Sequence, residues 1–198
     1  MEVNSKEILV SQLRESFGHI VYSHKTHEKM ADIYHCVDKW IKRCQLILSV
    51  VVTSGIVATI GFEICGQDNM WIKIISAIIS FVLVLLTTFV RNSNYAQLTQ
   101  QHKEIAADIW LLREKYLCLL TDYEAGVATE QETIKRRDKI NDELSAIYKN
   151  APRTTHCAYE KARTALKKKE EMTFSDAEID AFLPDALRNM QAKDSNEK

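Results

Sequence analysis

The chain has 198 residues, of which 27% are charged, and its formal net charge is −1 at pH 7. This balance argues against nucleic acid as the main partner, since nucleic-acid binders carry a basic excess. The average composition does not describe one soluble domain, because the apolar residues are concentrated in two long runs.

Residues 1–43 are rich in charge and lack an apolar cleavage signal, so no signal peptide is expected and the first apolar run must direct insertion. Apolar and aromatic residues recur here at spacings of three and four, as in Leu13, Phe17 and Ile20. This spacing is typical of one face of a helix. The sequence predicts a cytoplasmic N-terminal helix over 1–43.

Two uncharged apolar runs follow, over 44–62 and 74–90. A helix needs about 20 apolar residues to cross the hydrocarbon core, with about 17 as the lower limit. The alternative is a pair of buried helices in a soluble protein, but soluble helices of this length normally keep a polar face. The runs therefore predict a transmembrane hairpin with a short external loop over 63–73.

The charges beside the two runs predict its orientation. Basic residues flank the hairpin at its two outer ends, and the loop between the runs holds one: Lys39, Lys42 and Arg43 before it, Arg91 after it, and Lys73 in the loop. Basic residues stay on the cytoplasmic side of a membrane. We expect a multi-pass membrane protein with both termini cytoplasmic and the loop facing outward.

A heptad seam continues beyond the second run. Its members are Tyr95, Leu98, His102, Ile105, Ile109, Leu112, Tyr116 and Leu119. Alternating steps of three and four are the pattern of coiled-coil packing. The second membrane helix is therefore expected to extend through 91–125. Its seam would pack against the N-terminal helix or against neighbouring subunits through Ile105, Ile109 and Leu112.

The chain is expected to turn near Gly126 and to form further cytoplasmic helices over 126–188, followed by a polar tail over 189–198. Thr129 with Glu132, and Ser175 with Glu178, have the spacing of a capping box at a helix start. The predicted fold class is an all-α membrane protein. Its two-helix transmembrane hairpin would be continuous with long cytoplasmic helices that form a stalk or bundle.

The sequence contains none of three common catalytic motifs. It has no glycine-rich phosphate loop, no GxSxG and no CxxC. No enzyme activity and no cofactor are predicted. His24 and His27 lie one helical turn apart, which zinc binding permits. Both continue the helical face of Leu13, Phe17 and Ile20, however, and in such a seam a polar residue more often sets register. No metal site is predicted, although a protonation switch is chemically available.

The first span contains a stripe of small residues one turn apart, at Ser54, Ala58 and Gly61. Small residues let membrane helices approach closely. The stripe predicts helix packing, most simply of the two spans against each other.

The second span contains a line of hydroxyl side chains at helical spacing, Ser76, Ser80 and Thr87, and Leu83 falls on the same line. Such a line is typical of a water-filled path, and Leu83 would be a dry constriction in it. The alternative is that each hydroxyl bonds its own backbone. Two helices enclose no lumen, so a pore made from Ser76, Ser80, Leu83 and Thr87 requires a homo-oligomer.

Two basic patches lie near the end of the chain. The members are Lys135, Arg136, Arg137 and Lys139, then Lys161, Arg163 and Lys167 to Lys169. Nearby acidic residues balance both patches, which favours a solvated face. The alternatives are anionic lipid headgroups or an acidic ligand.

Three segments resemble a known bacterial family, the SMODS- and SLOG-associating two-transmembrane (SLATT) effectors. They are the aromatic-rich helix YSHKTHEKMADIYHCVDKWIKR, the hairpin with the long helix after it, and the tail YEKARTALKKKEEMTFSDAEIDAFLPDALR. The tail contains SDAEIDAFLP, which is similar to the closing element of some subfamilies.

This resemblance implies an effector of antiphage defence that permeabilises the inner membrane as an oligomer, by pore formation in abortive infection. It also implies a nucleotide second messenger, or its synthase, as a partner. Two other functions remain open from the residues. One is a non-conducting membrane adaptor whose stalk recruits a cytoplasmic partner, and the other is a metal-dependent membrane enzyme.

Overall fold

The computed structural model describes residues 5–64, 70–184 and 188. These residues form six helices and no strand, which confirms the predicted all-α class. The helices are α1 (Ser5–Ile64), α2 (Met70–Ser93), α3 (Tyr95–Glu124), α4 (Glu130–Asn150), α5 (His156–Lys167) and α6 (Asp176–Phe182). Residues 65–69 of the predicted loop and the predicted tail over 189–198 lie outside the described residues.

Helix α1 is one continuous helix of 60 residues, about 90 Å long at 1.5 Å per residue. The chain's prolines, at positions 152 and 184, both come after it, so no residue in α1 lacks the backbone N–H that a helix needs. The expected boundary between 1–43 and 44–62 is therefore a change of composition and not a break in the backbone.

A single residue separates the second span from the helix beyond it. Asn94 adopts the left-handed conformation, with φ 46° and ψ 31°. Asparagine visits this region more readily than most residues that carry a Cβ. The expected continuous helix over 74–125 is thus interrupted once, and α3 restarts at Tyr95 with the Leu98 amide donating to the Asn94 carbonyl.

The part of α1 that precedes the span packs antiparallel against α3, and the two share an apolar core. The core residues are Leu9, Leu13, Ile20, Ile109, Leu112, Tyr116, Leu119, Tyr123 and Ile140. Ile109 and Leu112 of the predicted seam are buried, and Ile105 is half-buried against the same cluster. The seam of α3 therefore packs on α1 of the same chain, one of the two partners that the heptad pattern allowed.

Helix α4 folds back along α3. Thr129 caps its start by accepting a hydrogen bond from the Glu132 amide, and Ile140 supplies its contribution to the core. The buried Tyr116 hydroxyl donates to Asn141 Oδ1 at 2.6 Å. A buried hydroxyl that finds such a partner avoids the cost of desolvation without a hydrogen bond.

Helix α5 lies against α1 through small side chains. Ala158, Ala162 and Ala165 are buried in this contact, and Tyr159 stacks on Tyr22 with ring centroids 5.9 Å apart. A face made of alanine lets two helix backbones approach closely. Residues 5–43 of α1 with α3, α4 and α5 form the part of the molecule called the stalk below.

Helix α6 is short and begins with the predicted capping box. The Ser175 side chain accepts from the Glu178 amide, and the Glu178 carboxylate accepts from the Ser175 amide. No residue of α6 is buried, so this helix adds nothing to the core.

Candidate functional site

The apolar parts of α1 and α2 are uncovered. No residue in the most apolar window of either helix is buried within the structure. Large side chains such as Leu46, Val57, Ile78 and Phe81 are more than half exposed there. An exposed apolar surface of this extent is unfavourable in water, since burial of such side chains is the main favourable term in folding. The length and composition of both helices suit a bilayer.

The two spans approach each other closely at Gly55 and Ser76. A Cβ atom built on Gly55 would lie 2.6 Å from Ser76 Oγ, closer than van der Waals contact permits. Glycine at this position therefore allows the two helices to meet, as small residues do at membrane helix interfaces.

The predicted packing stripe of the first span faces elsewhere. Ser54, Ala58 and Gly61 are all exposed, and a Cβ on Gly61 would meet no atom within 4 Å. The contact between the spans uses Gly55 instead, because it lies on the adjacent face of α1. Within one chain, the expected stripe makes no close contact with α2.

The predicted conducting face lies mainly against α1. Ser76, Ser80 and Leu83 are half-buried, whereas Thr87 is exposed. Ser80 Oγ donates to the Ser76 carbonyl at 2.8 Å, and Thr87 Oγ1 donates to the Leu83 carbonyl at 2.8 Å. These hydroxyls are satisfied by their own helix, as the alternative interpretation of the hydroxyl line expected. A single chain in this conformation presents no open polar path along Ser76, Ser80 and Leu83.

Below the spans, three buried histidines join α1 to α3. His24 Nδ1 lies 2.9 Å from the Ala106 carbonyl oxygen, which can only accept, so this nitrogen is the donor. His27 Nδ1 lies 2.9 Å from His102 Nδ1. One of these two rings donates and the other accepts, which links the helices through a single proton.

The hydrogen-bond network assigns that proton to His102. His102 Nε2 is buried and has no hydrogen-bond partner. If His102 Nδ1 donates, Nε2 carries only a lone pair, whereas the opposite assignment would bury an N–H donor without an acceptor. Buried orphan N–H groups are the rarer of the two in folded proteins.

Both rings of this pair are held neutral. Burial, together with the nearby His102 and His24, lowers the pKa of His27 to about 4. Burial also lowers the pKa of His102. The pair is a neutral hydrogen-bonded contact at pH 7. His27 lies on the helical face of Leu13, Phe17 and Ile20, and His102 lies on the heptad seam of α3, so a contact between α1 and α3 at these residues was predictable from the sequence.

An aromatic and cationic layer surrounds the histidines. Tyr34 lies 6.0 Å from Tyr95 and 5.6 Å from His102 between ring centroids, which extends the contact towards the Asn94 break. On the other side, the Arg113 guanidinium lies 4.4 Å from the Trp110 ring centroid, a favourable cation–π distance. No motif or periodic pattern in the sequence marks the break at Asn94 or the contact between Arg113 and Trp110, so neither was predicted.

The sequence profile of the SMODS and SLOG-associating 2TM effector domain family 4 matches residues 9–178. This match covers both spans and the whole of α3, α4 and α5. The chain belongs to this family. No curated protein and no solved structure gives a significant match.

As a member of the two-transmembrane effector family, the chain is a membrane protein. Among the described residues of this effector, no group of three or more histidine, cysteine or acidic side chains is arranged to hold a metal ion. His24 and His27 are instead engaged by Ala106 and His102.

Proposed function

We propose that the protein oligomerises in the bacterial inner membrane and permeabilises it as the effector of an antiphage defence system. Both termini would lie in the cytoplasm, and a nucleotide or partner signal would act on the stalk. The observation that carries this proposal is the uncovered apolar hairpin, in a chain of a two-transmembrane effector family. Large exposed apolar surfaces mark sites that interact with a membrane or another protein, so the membrane is the expected target of this effector.

The described conformation fits a resting state. The line of Ser76, Ser80 and Leu83 packs towards α1, and two helices enclose no lumen. A conducting state therefore needs several copies and a rotation of α2 that turns this line towards a common axis. Asn94 is the point where α2 can rotate without carrying α3 with it, because the helix is interrupted there.

A leakage experiment tests the conducting face. Replacing Leu83 with Ser places a hydroxyl on the line and should increase dye leakage from liposomes and growth arrest on expression, because a polar ring wets more easily. Replacing Ser80 with Leu should reduce both. Leu85→Ser is the matched control, since Leu85 is exposed on another face of α2 and should leave leakage at the parent level.

A second function is supported by the satisfied hydroxyls of α2. A span in which Ser80 and Thr87 bond their own helix suits an adaptor that anchors the stalk to the membrane without conduction. Parent-level leakage and toxicity in both Leu83→Ser and Ser80→Leu, at equal expression, would favour the adaptor. A difference between Leu83→Ser and Leu85→Ser would favour the pore.

A further inference from the structure

A cleft of about 450 Å³ lies between α1 and α5, at the second basic patch. Lys29 lines it from α1, and Lys161 and Lys169 line it from α5 and the turn after it. The volume falls within the range of small-molecule sites. The cleft is lined by these three ammonium groups and by two carboxylates, Glu160 and Glu171. The excess of positive charge favours an anionic occupant.

A carboxylate of the chain itself occupies the basic end of this cleft. Glu171 Oε2 lies 2.9 Å from Lys25 Nζ and 3.0 Å from Lys29 Nζ. Lys25 is buried, and the hydrogen bonds from Lys25 and Lys29 hold the pKa of Glu171 at about 2. Glu171 therefore stands where an oxygen of an anionic ligand would bind.

The turn that carries Glu171 is in an unfavourable backbone conformation. Its two neighbours, Glu170 and Met172, have φ values of 52° and 79°. Residues with a Cβ rarely adopt positive φ, and such positions persist only where the surrounding contacts impose them. The Glu171 amide donates to the Ala165 carbonyl at 3.0 Å, and the Thr173 amide donates to the Glu170 carbonyl at 3.0 Å. These backbone bonds hold the turn independently of the lysines, so the Glu171 side chain can leave them without unfolding the turn.

We propose that this cleft binds a soluble phosphate-bearing small molecule, whose phosphate oxygens displace the Glu171 carboxylate from Lys25 and Lys29. Phosphate offers several strong acceptors to ammonium donors where the carboxylate offers two. A lipid headgroup is a poor candidate, because Lys29 precedes the first span by 15 residues, about 22 Å of helix.

The inference deepens the proposed function, since the site would receive the activating signal. Glu171 ties the segment after α5 to α1, and α1 continues without a break into the first span. A ligand that releases this tie acts on the same rigid helix that enters the membrane. Binding itself does not depend on conduction, so the two claims can fail separately.

Calorimetric titration tests the site in the full-length protein, held in nanodiscs of phosphatidylcholine with inorganic pyrophosphate as the probe. Lys161→Met with Lys169→Met should weaken binding at least about tenfold. Both residues are exposed, so the fold should survive, and the unliganded unfolding temperature checks this. The matched control is Lys135→Met with Lys139→Met, which removes the same charge from the other basic patch and should leave binding within about twofold.

Glu171→Gln tests the displacement itself. The amide competes less for the lysines than the carboxylate does, so pyrophosphate should bind several-fold tighter. The proposal is overturned if pyrophosphate does not bind, if both double variants lose binding equally, if Glu171→Gln changes nothing, or if binding requires phosphatidylglycerol in the nanodisc. Intact binding without any change in liposome leakage would leave this site standing and count against the proposed pore.

Discussion

His27 and His102 lie opposite each other across the α1–α3 contact and share one hydrogen bond between two buried rings. A neutral pair of this kind is stable only while neither ring takes up a second proton. Protonation would place a charge among apolar and aromatic neighbours, with His24 close by on the same helix. The contact that joins the helices below the membrane is therefore sensitive to acid.

Stability should fall as the pH drops from 6.5 towards 4. The pKa of His27 is about 4 in the fold against 6.5 when exposed, so the unfolded chain binds more protons throughout this window. The expected loss is about 1 kcal/mol for each pH unit below 6.5. Thermal unfolding of the full-length protein in detergent, followed as a function of pH, measures it.

His27→Gln should reduce this pH dependence, because it removes one of the two buried rings whose pKa is lowered. His19→Gln is the control, since His19 is exposed on the same helix and should leave the slope unchanged. An unaltered slope in His27→Gln would show that the buried pair is not the source.

At Gly55 the two spans can pack closely only because this residue has no side chain. Gly55→Leu should drive them apart, because a Cβ there already meets Ser76 Oγ at 2.6 Å. We expect a cost of about 1–3 kcal/mol, typical of overpacking, measured by thermal unfolding in detergent. Gly61→Leu, where the space is open, should be near the parent value. Equal effects of the two substitutions would argue that the spans do not meet at Gly55.

At the scale of the helices, the contact between α1 and α3 holds the stalk together. Ile109 is fully buried in it, while Leu111, two residues on, is exposed. Substitutions at Ile109 and Leu111 therefore distinguish a core position from a surface position, since both side chains are aliphatic and of the same size.

Ile109→Asp should destabilise the fold by several kcal/mol, because a carboxylate would be buried without a partner. Leu111→Asp should stay within about 0.5 kcal/mol of the parent. The yield of soluble, detergent-extracted protein and its unfolding temperature are the measurements. If Ile109→Asp matched the parent in both, the α1–α3 seam would not be the core of the stalk.

The helices of the stalk were largely predictable from sequence, because their signals are local and strong. The heptad seam identified Ile109 and Leu112 as core residues, and Ser175 with Glu178 gave the start of α6. Asn94 was not predictable, because a lone asparagine costs at most about 0.7 kcal/mol inside a helix and does not by itself mark a break. Glu171 was not predictable either, because its partners Lys25 and Lys29 are far away in the chain and no periodic pattern joins them.

The candidate site in the membrane was likewise predictable only in part. Periodicity grouped Ser76, Ser80 and Leu83 on one face of α2, and they do share a similar degree of burial. It did not decide which face of α1 they would meet. Ser54 and Gly55 are neighbours in sequence but about 100° apart around a helix, so the choice between them depended on the partner helix.

For the whole molecule, the orientation in the membrane is the proposal most open to a direct test. Single cysteines report it in a background without the other native cysteines. Retained Cys157 is exposed and should react with a membrane-impermeant maleimide only after the cells are permeabilised. Gln67→Cys, in the expected external loop, should react in intact cells, because the basic flanks stay on the cytoplasmic side. The reverse pattern would place the stalk outside.

Because α1 is unbroken, the rotation of its membrane span about the helix axis is fixed relative to its stalk segment. The second half of the hairpin lacks this fixed relation. The face of α1 that meets α3 in the stalk and the face that meets α2 in the membrane belong to one helix, so neither can turn without the other. One residue inserted between them would twist the span by about 100° relative to the stalk, whereas seven would restore its phase to within about 20°. On the other side of the hairpin, Asn94 interrupts the helix between α2 and α3, so no continuous helix fixes the rotation of the second span relative to the stalk. A rotation of α1 in the stalk would therefore be transmitted directly to the first span, whereas a rotation of α3 would not be transmitted in the same way to the second.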